Sequence, residues 1–442
     1  MSLAERRWLR LFTLCSLYVA QGIPWGFMAT TLPAYLKSRG VSDAALASAL
    51  AMTTLPYTFK WVWGPVMDAF TIPSLGRRRP WIVFSQLMMA VTVIVMVAIP
   101  DVTVDLELLA VMILIHTVFN SMQDVATDAL AVDLLDEDER GRANGMMYAC
   151  KYGGAVIGGA GMGRVVAEHG LVSALVVQTV ILLAIMMVPL FVRERSGPPT
   201  PRPPLREIFD GLAQAATIRS TFVVALLVLG LNVALGVLYI AAVGLYVGEL
   251  EWTQTEYTDL VGGLGLFAGF GGSLLGGFLA DIVGRRRLIA IASIGMAIGW
   301  LIFAAARPLW EYEAVIYALA IWETTCTSVM IVSVFALCME VSWPRVAATQ
   351  FTSYMALSNL STTIGYKLGG EALSVFSYTE LYFVAGAFQI LITSLVIFID
   401  PTEVRRKLPL APGWKLGPFG ILTGVVFLVA VGVVPVLLLL LR

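Results

Sequence analysis

Residues 64–81 read GPVMDAFTIPSLGRRRPW, and residues 276–288 read GGFLADIVGRRRL. Each stretch has a glycine four positions before an aspartate and then a glycine followed by three arginines, and long apolar runs flank both. A pattern that recurs about half a chain later between apolar runs indicates an internally duplicated membrane protein. The shared charged residues are Asp68, Arg77, Arg78 and Arg79 in the first copy and Asp281, Arg285, Arg286 and Arg287 in the second.

The composition excludes an ordinary soluble domain. The chain of 442 residues is 58% hydrophobic and only 13% charged, whereas soluble domains carry about 25% charged residues. Its four cysteines lie singly in apolar runs and it has two histidines, so the sequence favours neither a disulfide framework nor a metal site. It also lacks a GxxxxGK(S/T) phosphate-binding loop. We therefore expect no metal, no cofactor, no nucleic-acid partner and no enzymatic activity, and we expect a lipid bilayer as the surroundings.

Apolar runs long enough to cross a bilayer, about 20 residues each, recur along the chain. Six lie in residues 1–192 and six in residues 219–400, with a connector at 193–218 and a thirteenth run within 401–442. We therefore predict an all-α membrane protein with two six-helix halves related by a pseudo-two-fold axis, plus one extra C-terminal transmembrane helix. A short amphipathic helix is expected at 205–216. The predicted spans are 11–36, 44–70, 80–100, 105–134, 142–167, 171–192, 219–248, 256–283, 287–306, 311–341, 346–375, 379–399 and 417–441.

The distribution of lysine and arginine predicts the orientation of these spans, because cytoplasmic loops are enriched in both residues. With the N-terminus in the cytoplasm, both arginine-rich loops and the connector lie on that side. Only Lys37, Arg39 and Arg307 then lie in loops on the opposite side.

The arginine-rich loops are candidate parts of a cytoplasmic gate. Asp133 and Glu340 end the fourth and tenth spans, and arginine binds carboxylates and helix C-terminal carbonyls well. Arg140 and Arg345 lie in neighbouring cytoplasmic loops and complete the predicted gate. The alternative is that these charges serve membrane topology alone.

The fourth span carries two carboxylates, Asp124 and Asp128, which share one helical face because they are four residues apart. An ionisable group within a membrane is costly and usually lines a cavity. Two carboxylates close together in a low dielectric do not both ionise easily, so the pair is either a proton-carrying site or one half of an ion pair. Lys60 in the second span and Lys151 in the fifth are the candidate cations. Glu323 in the tenth span is a partial counterpart of this arrangement in the second half of the chain.

Three further polar residues belong to the predicted cavity. Gln21 stands before Pro24, which we expect to kink the first span and free backbone groups there. Gln123 adjoins the fourth-span carboxylates, and Asn232 is the polar residue of the seventh span. Glycine runs in the fifth and eighth spans predict close helix packing.

The arginine-rich loops resemble those of the major facilitator superfamily, and three further stretches resemble one of its branches. They are FKWVWGPVMD at 59–68, QDVATDALAVDLL at 123–135 followed by ERG at 139–141, and ATQF at 348–351 together with Glu323. The branch is that of the AmpG-type muropeptide permeases and acetyl-coenzyme A transporters. The resemblance implies the major facilitator fold, cytoplasmic closure by the loop Asp and Arg residues, and functional sensitivity at Lys60, Asp124 and Glu323.

Together, the resemblance and the buried charges favour a proton-coupled importer of a polar organic solute, with a muropeptide-like cargo. We expect a monomeric, multi-pass protein of the bacterial inner membrane whose partners are a small-molecule substrate and protons. A siderophore, peptide or coenzyme A-ester permease of the same fold is an alternative. A non-transporting membrane receptor or assembly factor is the alternative of another class.

Overall fold

The structure is a computed structural model that describes residues 3, 6–63, 66–67, 76–99, 101–135, 137–194, 205–411 and 413–429. Asp68 and residues 430–442 lie outside these ranges, as do the side chains of Arg140 and Asp281. Every regular element in the described ranges is a helix, which confirms the predicted all-α class.

The described residues up to 191 include seven α-helices and three short π or 3₁₀ segments. They are α1 Arg7–Gly26, α2 Leu32–Ser38, α3 Asp43–Thr54, α4 Arg79–Met96, α5 Leu106–Leu134, α6 Glu137–Val156 and α7 Met162–Phe191. The π segments are Phe27–Thr31 and Ile157–Gly161, and the 3₁₀ segment is Leu55–Val62.

The described residues from 205 to 429 include eleven more α-helices, and the first of them is the predicted connector helix. They are α8 Leu205–Ala216, α9 Arg219–Leu231, α10 Val233–Val243, α11 Gln254–Asp259, α12 Leu266–Val283, α13 Arg285–Ala305, α14 Glu313–Val341, α15 Ala347–Ala372, α16 Tyr378–Thr393, α17 Glu403–Lys407 and α18 Pro418–Leu428. Gly244–Glu249 and Leu260–Gly265 are π segments, and Arg307–Leu309 and Ser394–Phe398 are 3₁₀ segments.

Nine helical stretches of the described residues are long and apolar enough to cross a membrane. One of them, Met146–Phe191, contains Gly170 at φ 83°. Glycine tolerates this backbone conformation because it has no Cβ, and the break divides the stretch into the two predicted spans 142–167 and 171–192.

Three predicted spans are not among these nine stretches. The span at 44–70 begins as α3, but 3₁₀ turns replace the α-helix from Leu55, next to Pro56, which cannot donate a backbone hydrogen bond. The span at 346–375 is present as α15, a 26-residue helix whose serines and threonines lower its apolar content. For 417–441, the described residues include only the first part, α18.

The first span is irregular just after the predicted kink at Pro24. Pro24 lies inside α1, which continues to Gly26. The irregular turn is the π segment Phe27–Thr31, after which α2 resumes the helix. Hydroxyl groups bind carbonyls at this π segment and at the one that follows α6: Thr30 donates to the Gly26 carbonyl at 2.6 Å, and Thr31 donates to the carbonyls of Gly158 and Gly159 at 2.9 and 2.8 Å.

Contacts divide the chain into two compact units. The first contains Met1–Pro199 and Val243–Phe267, and the second contains Thr200–Ala242 and Ala268–Arg442. The contact units therefore assign residues 243–267 to the first unit. The repeat boundaries 1–192, 193–218, 219–400 and 401–442 remain a prediction from the sequence.

Glycines allow α1 and α6 to touch backbone to backbone in the first unit. A Cβ atom on Gly154 would lie 3.1 Å from the Cα of Gly22 and would collide with the carbonyl of Val19. The second unit repeats this contact, because a Cβ on Gly365 would lie 2.8 Å from the Cα of Gly236. Small residues let membrane helices approach this closely.

We expect Gly154→Ala to destabilise the protein and Gly153→Ala to leave its stability nearly unchanged. The added methyl at Gly154 meets the α1 backbone, and overpacking of this kind costs roughly 1–3 kcal/mol. A methyl at the adjacent Gly153 meets nothing within 4 Å. Thermal unfolding of both variants in detergent measures the difference, and equal melting temperatures would contradict the proposed helix contact.

Candidate functional site

Asp124 lies between two lysines from different segments. Its Oδ2 accepts a hydrogen bond from the Lys60 Nζ at 3.3 Å, and its Oδ1 lies 3.7 Å from the Lys151 Nζ. Lys60 comes from the 3₁₀ segment that follows α3, and Lys151 from α6. The Asp124 side chain is only 8% exposed, so both ammonium groups compensate a charge that has little access to solvent.

Asp128, one helical turn further along α5, has a different partner. Its Oδ1 accepts a 2.5 Å hydrogen bond from the Tyr18 hydroxyl of α1. The Lys151 ammonium lies 5.7 Å from the centre of the Tyr18 ring, and Tyr148 packs edge-on against that ring at 5.8 Å. Tyr18 therefore touches both the second carboxylate and one of the two lysines. We define Lys60, Asp124, Asp128, Lys151 and Tyr18 as the α5 cluster.

A chain of buried amides runs beside the α5 cluster. Gln21 donates to the Gln123 Oε1 at 2.8 Å, Gln123 donates to the Gln86 Oε1 at 3.2 Å, and Gln86 donates to the Leu182 carbonyl at 3.2 Å. These bonds connect α1, α5, α4 and α7. The Oε1 of Gln21 is buried and has no partner among the described residues.

The arginine-rich loops make the same carboxylate contact in each unit. The Arg78 Nε lies 3.1 Å from the Asp133 Oδ2, and the Arg285 Nη1 lies 2.9 Å from the Glu340 Oε2. Arginine and carboxylate are 55 positions apart in both pairs. Burial lowers the pKa of the Arg78 guanidinium, and the Asp133 carboxylate opposes that shift.

The next arginine of each loop binds the end of a later helix. Arg79 donates to the carbonyls of Pro189 and Leu190 at the end of α7. Arg286 donates to the carbonyls of Val396 and Ile397 at 3.2 Å each. Unpaired carbonyls at a helix C-terminus attract a cation, so each loop joins its own helix to two others of the same unit.

The other predicted gate residues make different contacts or are not among the described residues. The backbone N–H of Arg77 donates to the Glu194 Oε2 at 2.6 Å. Arg345 lies 3.9 Å from Glu207 of α8. Arg287 is in the first turn of α13. Asp68 and the side chains of Arg140 and Asp281 lie outside the described residues.

Glu323 is not the counterpart of the α5 carboxylates. Helices α5 and α14 both have 29 residues, and Asp133 and Glu340 stand at the same place near their ends. Glu323 lies 17 residues before Glu340, and His116 lies 17 residues before Asp133. Glu323 therefore corresponds to His116. Both side chains contact the preceding membrane helix: His116 Nδ1 lies 2.8 Å from the Thr92 hydroxyl, and the Trp300 indole donates to Glu323 at 2.7 Å.

Asn232 marks an interruption between α9 and α10. Its side-chain amide donates to the Ser358 hydroxyl at 2.8 Å, and its backbone N–H donates to the Ser361 hydroxyl at 3.1 Å. A shallow crevice opens beside it, lined by residues of α9, α14 and α15.

Several of these partners could not be assigned from the sequence. Tyr18 resembled any other aromatic residue of a span, although it lies one turn before Gln21 on the same helix. Gln86 lies in an apolar run with no neighbouring motif. Glu194 binds the backbone N–H groups of Arg77, Arg78 and Arg79, yet it belongs to a proline-rich connector whose composition predicts no contact.

Comparison with known proteins agrees with this architecture. The family model of the Major Facilitator Superfamily matches residues 14–366. The anhydromuropeptide permease of Escherichia coli strain K12 is 25% identical over 379 residues, covering 82% of this chain and 74% of that protein.

Solved transporter structures share the fold at low sequence identity. The D-xylose-proton symporter superimposes with a TM-score of 0.68 at 13% identity, covering 89% of this chain and 99% of that chain. The nucleoside transporter NupG superimposes with a TM-score of 0.70 at 11% identity, covering 88% and 99%. The chain is therefore a multi-pass membrane transporter and belongs to the major facilitator superfamily.

Proposed function

We propose that this transporter is a proton-coupled importer of a muropeptide-like solute in the bacterial inner membrane. The observation that carries the proposal is the α5 cluster, in which two carboxylates and two lysines lie within the first unit with little exposure to solvent. The similarity to an anhydromuropeptide permease over most of the chain supports the cargo.

The two carboxylates have unequal surroundings, which suggests unequal roles. Asp124 is paired with both Lys60 and Lys151. Among the described residues, no lysine or arginine lies within ion-pair distance of Asp128, whose hydrogen-bond donor is the neutral Tyr18 hydroxyl. Neutralising Asp128 therefore breaks no ion pair, and we assign it the transported proton. Asp124 keeps the lysines in place.

Cargo binding can be linked to this proton through Lys151. The ammonium of Lys151 contacts Asp124 and lies over the Tyr18 ring, and Tyr18 in turn bonds to Asp128. An anionic group of the cargo that attracts Lys151 would change the field at both carboxylates. Gln21, Gln123, Asn232 and Glu323 are the other residues that we propose for the substrate cavity.

We further propose that the arginine-rich loops form the cytoplasmic gate, with the N-terminus on the same side. The pairs Arg78–Asp133 and Arg285–Glu340 brace each unit internally. Asp68, Arg140 and Asp281 are assigned to the same gate by the repeated pattern and the family resemblance. The monomer is the proposed working form.

Substitution of the two carboxylates distinguishes their roles. We expect Asp128→Asn to abolish uphill uptake of an anhydromuropeptide driven by a pH gradient, while exchange of the same cargo without a gradient continues, because the variant cannot release a proton. Asp124→Asn should impair both processes and lower the melting temperature, since breaking a buried ion pair costs about 3–5 kcal/mol. Uptake and exchange are measured in proteoliposomes.

Asp210→Asn is the matched control, because Asp210 is exposed on α8. Full gradient-driven uptake by Asp128→Asn would show that this carboxylate does not carry the proton. Correct folding with no uptake or exchange of anhydromuropeptide by the unaltered protein would reject this cargo. The siderophore, peptide and coenzyme A-ester cargoes, or a receptor without transport, would then have to be tested.

If the arginine-rich loops form the gate, breaking the arginine–carboxylate pair of either unit should slow transport. Arg78→Gln and Arg285→Gln each remove a charge-assisted hydrogen bond worth roughly 1.5–3 kcal/mol, so we expect initial uptake rates to fall about tenfold or more. Arg405→Gln removes an exposed positive charge of α17 and serves as the control. Uptake at the unaltered rate in both variants would leave these arginines with a purely topological role.

A further inference from the structure

Helices α1 and α6 of the first unit touch along a line of contacts that repeats with each helical turn. A Cβ on Gly154 would meet the carbonyl of Val19, which is 135 positions earlier in the chain. A Cβ on Gly158, in the π segment that continues α6, would meet the carbonyl of Ile23, again 135 positions earlier. Both members of the second pair lie four residues beyond those of the first, so the two helices run in the same direction with a constant register.

The same register places two cysteines opposite each other, one turn before the contact of Val19 with Gly154. Cys15 of α1 and Cys150 of α6 are also 135 positions apart. The Cys15 thiol is hydrogen-bonded to the Cys150 side chain. Both are free, half-buried thiols, and both pack against the same hydrophobic cluster of the first unit. Cysteines that are isolated in the sequence therefore form a pair in the fold.

The spacing of α1 and α6 suits a disulfide between these two cysteines. A disulfide joins residues whose Cα atoms are usually about 4.4–6.8 Å apart. The glycine contacts hold the two backbones at about this spacing, since a Cβ on Gly154 would lie only 3.1 Å from the Cα of Gly22. Because the two thiols already touch, rotation of the side chains can join the sulfurs while the helices stay in contact.

The other two cysteines differ from this pair and provide an internal control. Cys326 and Cys338 are buried, and both lie on α14 of the second unit. Twelve residues of α-helix separate them by about 18 Å. They therefore cannot form a disulfide with each other.

We propose that Cys15 and Cys150 are a reversible oxidation site, at which hydrogen peroxide produces a disulfide that fastens α1 to α6 and slows transport. One sulfur attacks an oxygen of the peroxide, the O–O bond breaks, and a sulfenic acid and water form. The second sulfur then displaces the hydroxyl group as water, and the S–S bond forms. Two thiols are oxidised, one peroxide is reduced, and the two thiol hydrogens leave in the two molecules of water.

The disulfide would restrain the α5 cluster, because two members of that cluster adjoin the cysteines. Lys151 directly follows Cys150, and Tyr18 lies three residues after Cys15. The Lys151 ammonium lies 5.7 Å from the centre of the Tyr18 ring, so fastening α1 to α6 limits the movement of one relative to the other. The effect on transport rests on the proposed function, in which cargo attracts Lys151, whereas formation of the disulfide does not.

The experiment treats the protein in proteoliposomes with hydrogen peroxide, alkylates the remaining thiols and maps disulfides by mass spectrometry. We expect the four free cysteines to fall to two, with Cys15 linked to Cys150. The initial rate of anhydromuropeptide uptake should fall in proportion to the linked fraction. Dithiothreitol should restore that rate, because it reduces a disulfide.

Single substitutions separate this pair from general oxidation of the protein. Cys15→Ala and Cys150→Ala each remove one partner, so their uptake should no longer respond to peroxide. Cys326→Ala and Cys338→Ala are the matched controls, and both should lose and regain uptake as the unaltered protein does. Mapping of the disulfide in the unaltered protein provides the decisive measurement even where a variant folds poorly.

The inference is overturned if peroxide leaves Cys15 and Cys150 unlinked, or if the linked protein transports at the unaltered rate. It is also overturned if dithiothreitol does not restore the lost uptake, or if Cys15→Ala loses uptake equally. Disulfide mapping requires no cargo. Absence of anhydromuropeptide uptake by the untreated protein would therefore reject the proposed cargo, while the mapped disulfide still decides the oxidation site.

Discussion

A carboxylate inside a membrane protein has to meet its counter-charge, and in the first unit this requirement determines which segments come together. Asp124 draws one lysine from the segment after α3 and one from α6. The first pairing requires the segment after α3 to pack on α5, and the second requires α6, which packs on α1, to bring Lys151 close to α5. The glycines at the α1–α6 contact permit that approach because they bring no Cβ between the backbones.

The two copies of the repeat keep the same contacts at the helix ends but have different side chains in the interior. Both arginine-rich loops bind a carboxylate 55 positions further along the chain, and both bind the end of a later helix. When positions are counted back from Asp133 and Glu340, Asp124 and Asp128 nevertheless correspond to Ile331 and Phe335 in the second unit. The contacts at the helix ends hold each unit together and are therefore present in both. The interior side chains differ between the units, because function rather than the fold selects them.

Much of the architecture followed from the sequence. The predicted span 105–134 is α5 within one residue at its start, and the connector helix 205–216 is α8. The carboxylates expected to bind the arginines, Asp133 and Glu340, are their partners in the structure. One error concerns correspondence, because Glu323 matches His116 rather than the α5 carboxylates, and the sequence did not reveal the π segment that follows Pro24. Apolar length says nothing about which turn of one helix faces which turn of another.

The class and the helices could be predicted from the residues alone, because a chain in lipid must satisfy its backbone polar groups within long apolar helices, and the repeated pattern predicted the duplicated loops. The bond between Tyr18 and Asp128 and the two lysines beside Asp124 became visible only once the helices were packed together. These pairings join residues that are far apart in the chain, and they depend on the few ångströms by which glycines let one helix approach another.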